Sequence, residues 1–184
     1  VLVWKDIRNP AFLDSLLRLL AFQVGSQISY HELGKNLEMK SDTVEAYVDI
    51  LEKAFVIFRL PAFSNNPRKK ISKSNKIFLW DNGIRNAVVN DFRPLSQRDD
   101  AGLLWENFAI SERMKLHAHL NRNYRSYFWR NYNGSEVDYI EEKDDRVSAF
   151  EMKWKPKANQ KVTQAFTNEY PGAKTELISP SNIS

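Results

Sequence analysis

Three short motifs in the second half of the chain carry residue types that do chemistry: Leu104-Trp105-Glu106-Asn107-Phe108, Glu136-Val137-Asp138 and Glu151-Met152-Lys153. An Asp followed thirteen residues later by Glu-x-Lys, on two alternating runs a hairpin apart, can set three charged groups at one sheet face. Phosphodiester hydrolysis needs a divalent cation to neutralise phosphate charge and to lower the pKa of an attacking water. Hard cations such as Mg²⁺ take carboxylate oxygens and waters. Asp138, Glu151 and Glu106 can supply the carboxylates, and the carbonyl of Met152 a further ligand. Lys153 then orients the water or stabilises charge in the transition state. The expected catalytic set is therefore Asp138, Glu151, Lys153 and Glu106, and the expected metal set Asp138, Glu151, Met152 and Glu106. The competing reading is structural, because Asp and Lys on facing strands are common cross-strand ion pairs.

Strict alternation decides which of these side chains share a face. It puts Glu136, Asp138 and Ile140 on one side of their strand and Val137 and Tyr139 on the other. On the next strand, Glu151 and Lys153 fall with Ala149, opposite Phe150, Met152 and Trp154. Glu106 has Leu103, Ala109 and Ile110 as helical neighbours, so its carboxylate is not expected to be freely solvated.

The elements that must position these residues follow from capping and periodicity. Asn9-Pro10 opens a helix whose apolar positions recur until Gly25. Ser29-Tyr30-His31-Glu32 has the capping-box pattern and starts a second helix through Leu37. Ser41 or Asp42 caps a third, with Val44, Tyr47, Val48 and Leu51 on one face. Strands are expected over Ala54 to Leu60 and Ile77 to Trp80. Three helices followed by a hairpin read as a winged helix over residues 10–80. A connecting helix runs through Val89, and Pro94 to Asp100 is the linker candidate. The rest reads as a helix (Ala101 to Leu116), three strands (Tyr124 to Arg130, Ser135 to Glu142, Val147 to Trp154), a helix (Ala158 to Glu169) and a strand (Thr175 to Ile178). The fold class is α/β (α+β): a winged helix with its connecting helix over residues 1–90, then an αβββαβ domain over 91–184. That element order is the one found in restriction-endonuclease-like folds.

Further matching segments are Leu19-Leu20-Ala21-Phe22-Gln23-Val24-Gly25-Ser26, Tyr47 to Glu52, Phe55 to Pro61, Lys76 to Ala87 and Phe128-Trp129-Arg130. With the three motifs, they make the chain resemble a domain of unknown function that follows an AAA+-type ATPase module in bacterial and archaeal ATPase-like proteins. The resemblance implies a winged helix and a nuclease-like domain, with an ATPase domain of the same longer protein as partner. Asp138 and Glu151/Lys153 match the PD-(D/E)xK pattern, although Glu136-Val137 stands where that pattern has Pro before its Asp. Two functions are expected from this. One is an ATPase-associated accessory region whose nuclease-like site hydrolyses nucleic acid with Mg²⁺. The other is a non-catalytic protein- or DNA-binding regulatory module on a degenerate nuclease scaffold.

Composition sets the bounds. The 184 residues carry a net charge of +4 and no cysteine. A disulfide framework and thiolate metal sites are thereby excluded, and a reducing cytoplasm fits. No apolar run is long enough to span a membrane, and no secretory signal opens the chain. The start at Val1 suggests a piece of something longer. No Gly-rich Walker loop occurs, so no nucleotide hydrolysis is expected from this sequence.

Two charged surfaces bear on nucleic acid. The third helix offers Asp42, Glu45, Asp49 and Glu52 against only Lys40 and Lys53, which disfavours a groove-reading role. Arg68, Lys69, Lys70, Lys73 and Lys76 put five cations in nine residues of the hairpin, which read either as the expected nucleic-acid contacts or as a solvated hairpin tip. His117 and His119 are expected at the surface near a helix end. Trp105, Trp129, Trp154, Phe108 and Phe150 are expected in the core.

Overall fold

The fold is known from a computed structural model, which describes residues 9–64 and 75–183. Helix α1 (Pro10–Phe22) starts where Asn9 accepts the Phe12 N–H at 3.0 Å, with Pro10 in the first turn, where its missing N–H leaves nothing unpaired. Ser29 caps α2 (Tyr30–Asn36) by accepting the Glu32 N–H. Helix α3 (Ser41–Lys53) begins after Lys40 with no side-chain cap, slightly earlier than Ser41 or Asp42 would place it. It ends at Phe55, whose φ of 57° reverses the chain. The apolar run from Ala54 therefore starts to pair only at Ile57.

Strands β1 (Ile57–Pro61) and β2 (Asn75–Leu79) form an antiparallel sheet with Ile57 opposite Leu79. Asp81 caps α4 (Asn82–Val89) by accepting the Ile84 N–H. The expected linker is fastened down. Asp100 receives Arg85 at 2.5 Å and Arg98 at 2.8 Å, while Arg98 also donates to the Asp91 carbonyl and Arg85 to the Ala21 carbonyl.

The second half contains α5 (Ala101–His119), β3 (Arg125–Arg130), β4 (Glu136–Lys143), β5 (Arg146–Met152), α6 (Gln164–Glu169) and β6 (Lys174–Ile178). Helix α5 runs a turn longer than expected, and α6 begins six residues later than Ala158. The sheet order is β3-β4-β5-β6, antiparallel except for β5 and β6, whose parallel pairing requires the crossover that contains α6.

Asp144 and Asp145, both at positive φ, make a two-residue turn between β4 and β5. That turn fixes the register from Lys143↔Arg146 to Tyr139↔Phe150. Carried one residue further, it brings Asp138 level with Glu151.

The larger core cluster joins the halves: Leu16, Leu20, Val48, Ile57 and Phe78 pack in one body with Trp105, Ile110, Tyr139, Phe150 and Met152. A second cluster on the other face of the sheet sets Phe166 of α6 with Trp129, Val137, Ile140 and Ala149. The result is a mixed α/β structure with helices and two sheets. Among the described residues no helix is long and apolar enough to cross a membrane.

Candidate functional site

Glu106 is aimed by its two neighbours in sequence. The Trp105 indole N–H donates to the carbonyl of Ile178, the last residue of β6, at 3.3 Å, and the N–H of Lys153, just past the end of β5, shares that acceptor. On the other side Asn107 is fully buried. Its Oδ1 accepts the Leu79 N–H at 2.8 Å, and its Nδ2 donates to the Leu79 carbonyl and to Asn82 Oδ1. Helix α5 is thus pinned to both sheets one residue either side of Glu106, which fixes its rotation. Gly25 closes over the carboxylate from the α1–α2 loop. It has φ of 74°, and a Cβ there would stand 3.3 Å from Glu106 Oε1.

Asp138 reaches the site by a route that alternation does not give. Tyr127 pairs with Ile140 and Trp129 with Val137, so Asp138 and Tyr139 together stand opposite Phe128. This is a β-bulge, and it breaks the period of two. Val137 and Ile140 consequently pack in the same cluster, whereas alternation put them on opposite faces. In β5 the alternation holds: Ala149 lies in one cluster and Phe150 and Met152 in the other. Where the β4–β5 ladder ends, Asp138 Oδ2 takes the place of a backbone acceptor for the Met152 N–H at 2.8 Å.

Four carboxylates and two ammonium groups meet there. Lys153 Nζ lies 3.2 Å from Asp138 Oδ2 and 2.7 Å from Glu151 Oε1. Lys76 Nζ lies 2.5 Å from Glu136 Oε1 and 3.4 Å from Glu106 Oε1. Burial, reinforced by the Asp138 charge, pushes the Glu106 carboxyl up to about 7. Burial and Asp138 likewise raise Glu151. For both lysines burial acts downward, but the surrounding carboxylates outweigh it and hold the ammonium forms above their ordinary range. Glu151 Oε2 is buried with no hydrogen-bond partner.

An orphaned carboxylate oxygen beside Asp138, in a cluster with more acids than bases, fits a hard cation. Among the described residues, however, no three His, Asp or Glu side chains already stand together as a metal-holding group, since the lysines sit between them.

Asp138, Glu151, Lys153 and Glu106 are therefore brought together, and Met152 lies between Glu151 and Lys153 at the edge of the cluster. Lys76 corrects the expectation for the hairpin cations. It is 2% exposed and engaged with Glu106 and Glu136, so it presents no charge to an outside phosphate. Arg68, Lys69, Lys70 and Lys73 lie outside the described residues. The acidic side of α3 is partly neutralised, because Arg59 of β1 pairs with both Asp49 and Glu52. His117 is buried against Tyr124 and Glu141 rather than exposed, and Arg113 reaches the same carboxylate. Phe108 is exposed, unlike Trp105, Trp129 and Phe150. Lys76 was expected to meet phosphate, and Glu136 was placed on the face of Asp138 without a role in the site. Asn107, in Leu104-Trp105-Glu106-Asn107-Phe108, is the site residue for which no role was expected, and a polar residue next to an apolar helix face was its signal.

Fold and site together define a mixed α/β protein with a lysine-bridged carboxylate cluster at the opening between two antiparallel strands. Residues 1–95, more than half of the chain, match the family described as "Domain of unknown function (DUF8612)", and the chain belongs to that family. Residues 101–182 match "Domain of unknown function (DUF4143)". Uncharacterized proteins of Mycobacterium bovis and Mycobacterium tuberculosis are each 30% identical over 137 residues, 73% of this chain and 30% of theirs. An uncharacterized protein of Methanocaldococcus jannaschii is 33% identical over 95 residues, 47% of this chain and 20% of its own. The chain thus spans under a third of the length of the curated relatives it matches. No solved structure matches it.

Proposed function

We propose that the chain is the accessory region of a longer ATPase-like protein, a winged helix followed by a nuclease-like PD-(D/E)xK domain that hydrolyses phosphodiesters of nucleic acid with Mg²⁺. The carrying observation is the Lys153 ammonium bridging Asp138 and Glu151, with Glu151 Oε2 left without a partner. Three helices leading into a hairpin, the αβββαβ order of the second half and the greater length of the relatives support the same reading.

Asp138 and Glu151 would hold the ion, with the Met152 carbonyl and Glu106 as the remaining candidates. When bound, it would neutralise phosphate charge and lower the pKa of a water. Lys153 offers donors to the reacting phosphate oxygens. Glu106, with its carboxyl near 7, holds or gives up a proton at neutral pH. Arg68, Lys69, Lys70 and Lys73 supply sequence-independent phosphate contacts, so reversing Lys69 and Lys70 weakens binding and flattens its salt dependence. With no cysteine to oxidise, a cytoplasmic setting suits this role.

A second reading, a non-catalytic protein- or DNA-binding module on the same scaffold, is favoured by one observation: each carboxylate of the cluster faces an ammonium already in place. Calorimetric Mn²⁺ titration beside a plasmid-nicking assay separates the two. Asp138→Asn should weaken Mn²⁺ binding about tenfold, through loss of one charged ligand oxygen. Lys153→Ala should keep Mn²⁺ binding and lose nicking. A wild type that binds Mn²⁺ and never nicks DNA supports the second reading. No Mn²⁺ binding at all sinks the Mg²⁺-dependent one.

A further inference from the structure

We infer that Lys76 is the built-in counter-ion of this site: it withholds Glu106 and Glu136 from metal, so that one divalent cation is taken, on the Lys153 side, by Asp138 and Glu151. The inference rests on the metal reading above and divides its ligand set. The six charged groups form two units, Lys76 with Glu106 and Glu136, and Lys153 with Asp138 and Glu151.

The two ammonium groups differ in how they can leave. The Lys76 side chain is 3% exposed, and its Nζ lies 5.5 Å from the centre of the Phe128 ring. Its backbone is held on both sides, opposite Leu60 in the β1–β2 ladder and bridged to Gln27. The ammonium is therefore buried on a paired strand, while its partners Glu106 and Glu136 keep 22% and 28% of their side chains exposed. Lys153 lies just past the end of β5 with 31% of its side chain exposed. A lysine there can swing its ammonium into solvent on a flexible stem. The unpartnered oxygen, Glu151 Oε2, is also on that side.

A fixed ammonium next to Glu106 and Glu136 therefore does permanently what a second cation would do, with one unit of charge and no exchange. It also comes from the first half of the chain, whereas Glu106, Glu136, Asp138, Glu151 and Lys153 come from the second. The carboxylate cluster has its second ammonium only with β2 in place.

The test is Mn²⁺ titration of the full chain by calorimetry, with Mn²⁺-dependent change in melting temperature as a second readout. Wild type should take one Mn²⁺ per chain. Lys76→Met should take two, because Glu106 and Glu136 then lose their shared ammonium and keep beside them the half-exposed Arg130, 3.8 Å from Glu136 Oε2, which can swing away. Lys76→Gln serves if the apolar variant does not fold. Glu136→Gln should leave wild-type Mn²⁺ affinity within about twofold, since the removed carboxylate belongs to Lys76 and not to the ion. A folded Lys76 variant with unchanged stoichiometry overturns the inference, as does a tenfold loss of affinity in Glu136→Gln. Should wild type bind no Mn²⁺, the Mg²⁺-dependent reading fails by itself. A Lys76 variant that then gains its first Mn²⁺ upholds the counter-ion role, and one that gains none overturns it.

Discussion

Replacing Glu106 by Gln should make this protein more stable, and only above a defined pH. The Glu106 carboxyl lies inside the site at about 7, against an ordinary value of 4.5, because burial and the Asp138 charge disfavour its ionised form. A raised acid makes the native state bind a proton that the unfolded chain has already released. Its penalty is absent below 4.5, grows as pH rises from there, and levels off above about 7. At about 1.4 kcal/mol per pH unit, the gap from 4.5 to about 7 amounts to roughly 3 kcal/mol. Gln mimics the protonated acid and carries no such penalty. Wild type and Glu106→Gln should coincide near pH 4, differ by about 2 kcal/mol at pH 6 and by roughly 3 kcal/mol at pH 8. Urea unfolding at each pH measures both curves, and the comparison cancels the contribution of Glu151, which is raised in the same direction. Profiles that stay parallel to within about 1 kcal/mol would refute the reasoning, since Glu106 would then ionise as freely in the native state as in the unfolded chain.

Asn107→Leu keeps the volume but strands the buried Leu79 N–H and C=O. At about 1–3 kcal/mol for each group the loss should be roughly 2–6 kcal/mol in urea unfolding, and a loss under about 1 kcal/mol would contradict the assignment. Gly25→Ala combines a positive φ with a Cβ 3.3 Å from Glu106 Oε1. It should cost about 1–2 kcal/mol, a fall in melting temperature of roughly 2–8 °C by calorimetry. Asp100→Ala leaves the buried Arg85 guanidinium without its carboxylate and Arg98 with Asp91, 3.7 Å away, and should cost about 3–5 kcal/mol in urea unfolding. Arg98, with Arg85, holds the Asp100 carboxyl down to about 2, so its stabilising effect is fully present above 3.8 and disappears as pH falls through about 2. An acid titration of wild type followed by circular dichroism should show this loss in that window, and Asp100→Ala should not.

Much of this molecule was legible in its local order. Asn9-Pro10 and Ser29 mark helix starts because a side-chain oxygen three residues from a free N–H has one obvious partner. The αβββαβ sequence of elements follows from periodicity alone, and parity in β5 put Glu151 and Lys153 on one face, where Lys153 Nζ lies 2.7 Å from Glu151 Oε1. The spacing of Asp138 and Glu151 carries their juxtaposition, because a two-residue turn at Asp144-Asp145 fixes the register between them. What failed was whatever depends on partners distant in sequence. The bulge at Asp138-Tyr139 has no glycine to announce it, so Val137 changed faces unseen. His117 resembled a surface residue until Glu141 and Tyr124 closed over it. Lys76 belonged by sequence to a run of exposed cations, yet its two carboxylates lie thirty and sixty residues further along the chain. Local patterns were enough to say which elements form and which acids could meet. Which lysine neutralises which acids emerged from the folded chain alone, because burial and charge pairing are set by contacts that no local pattern encodes.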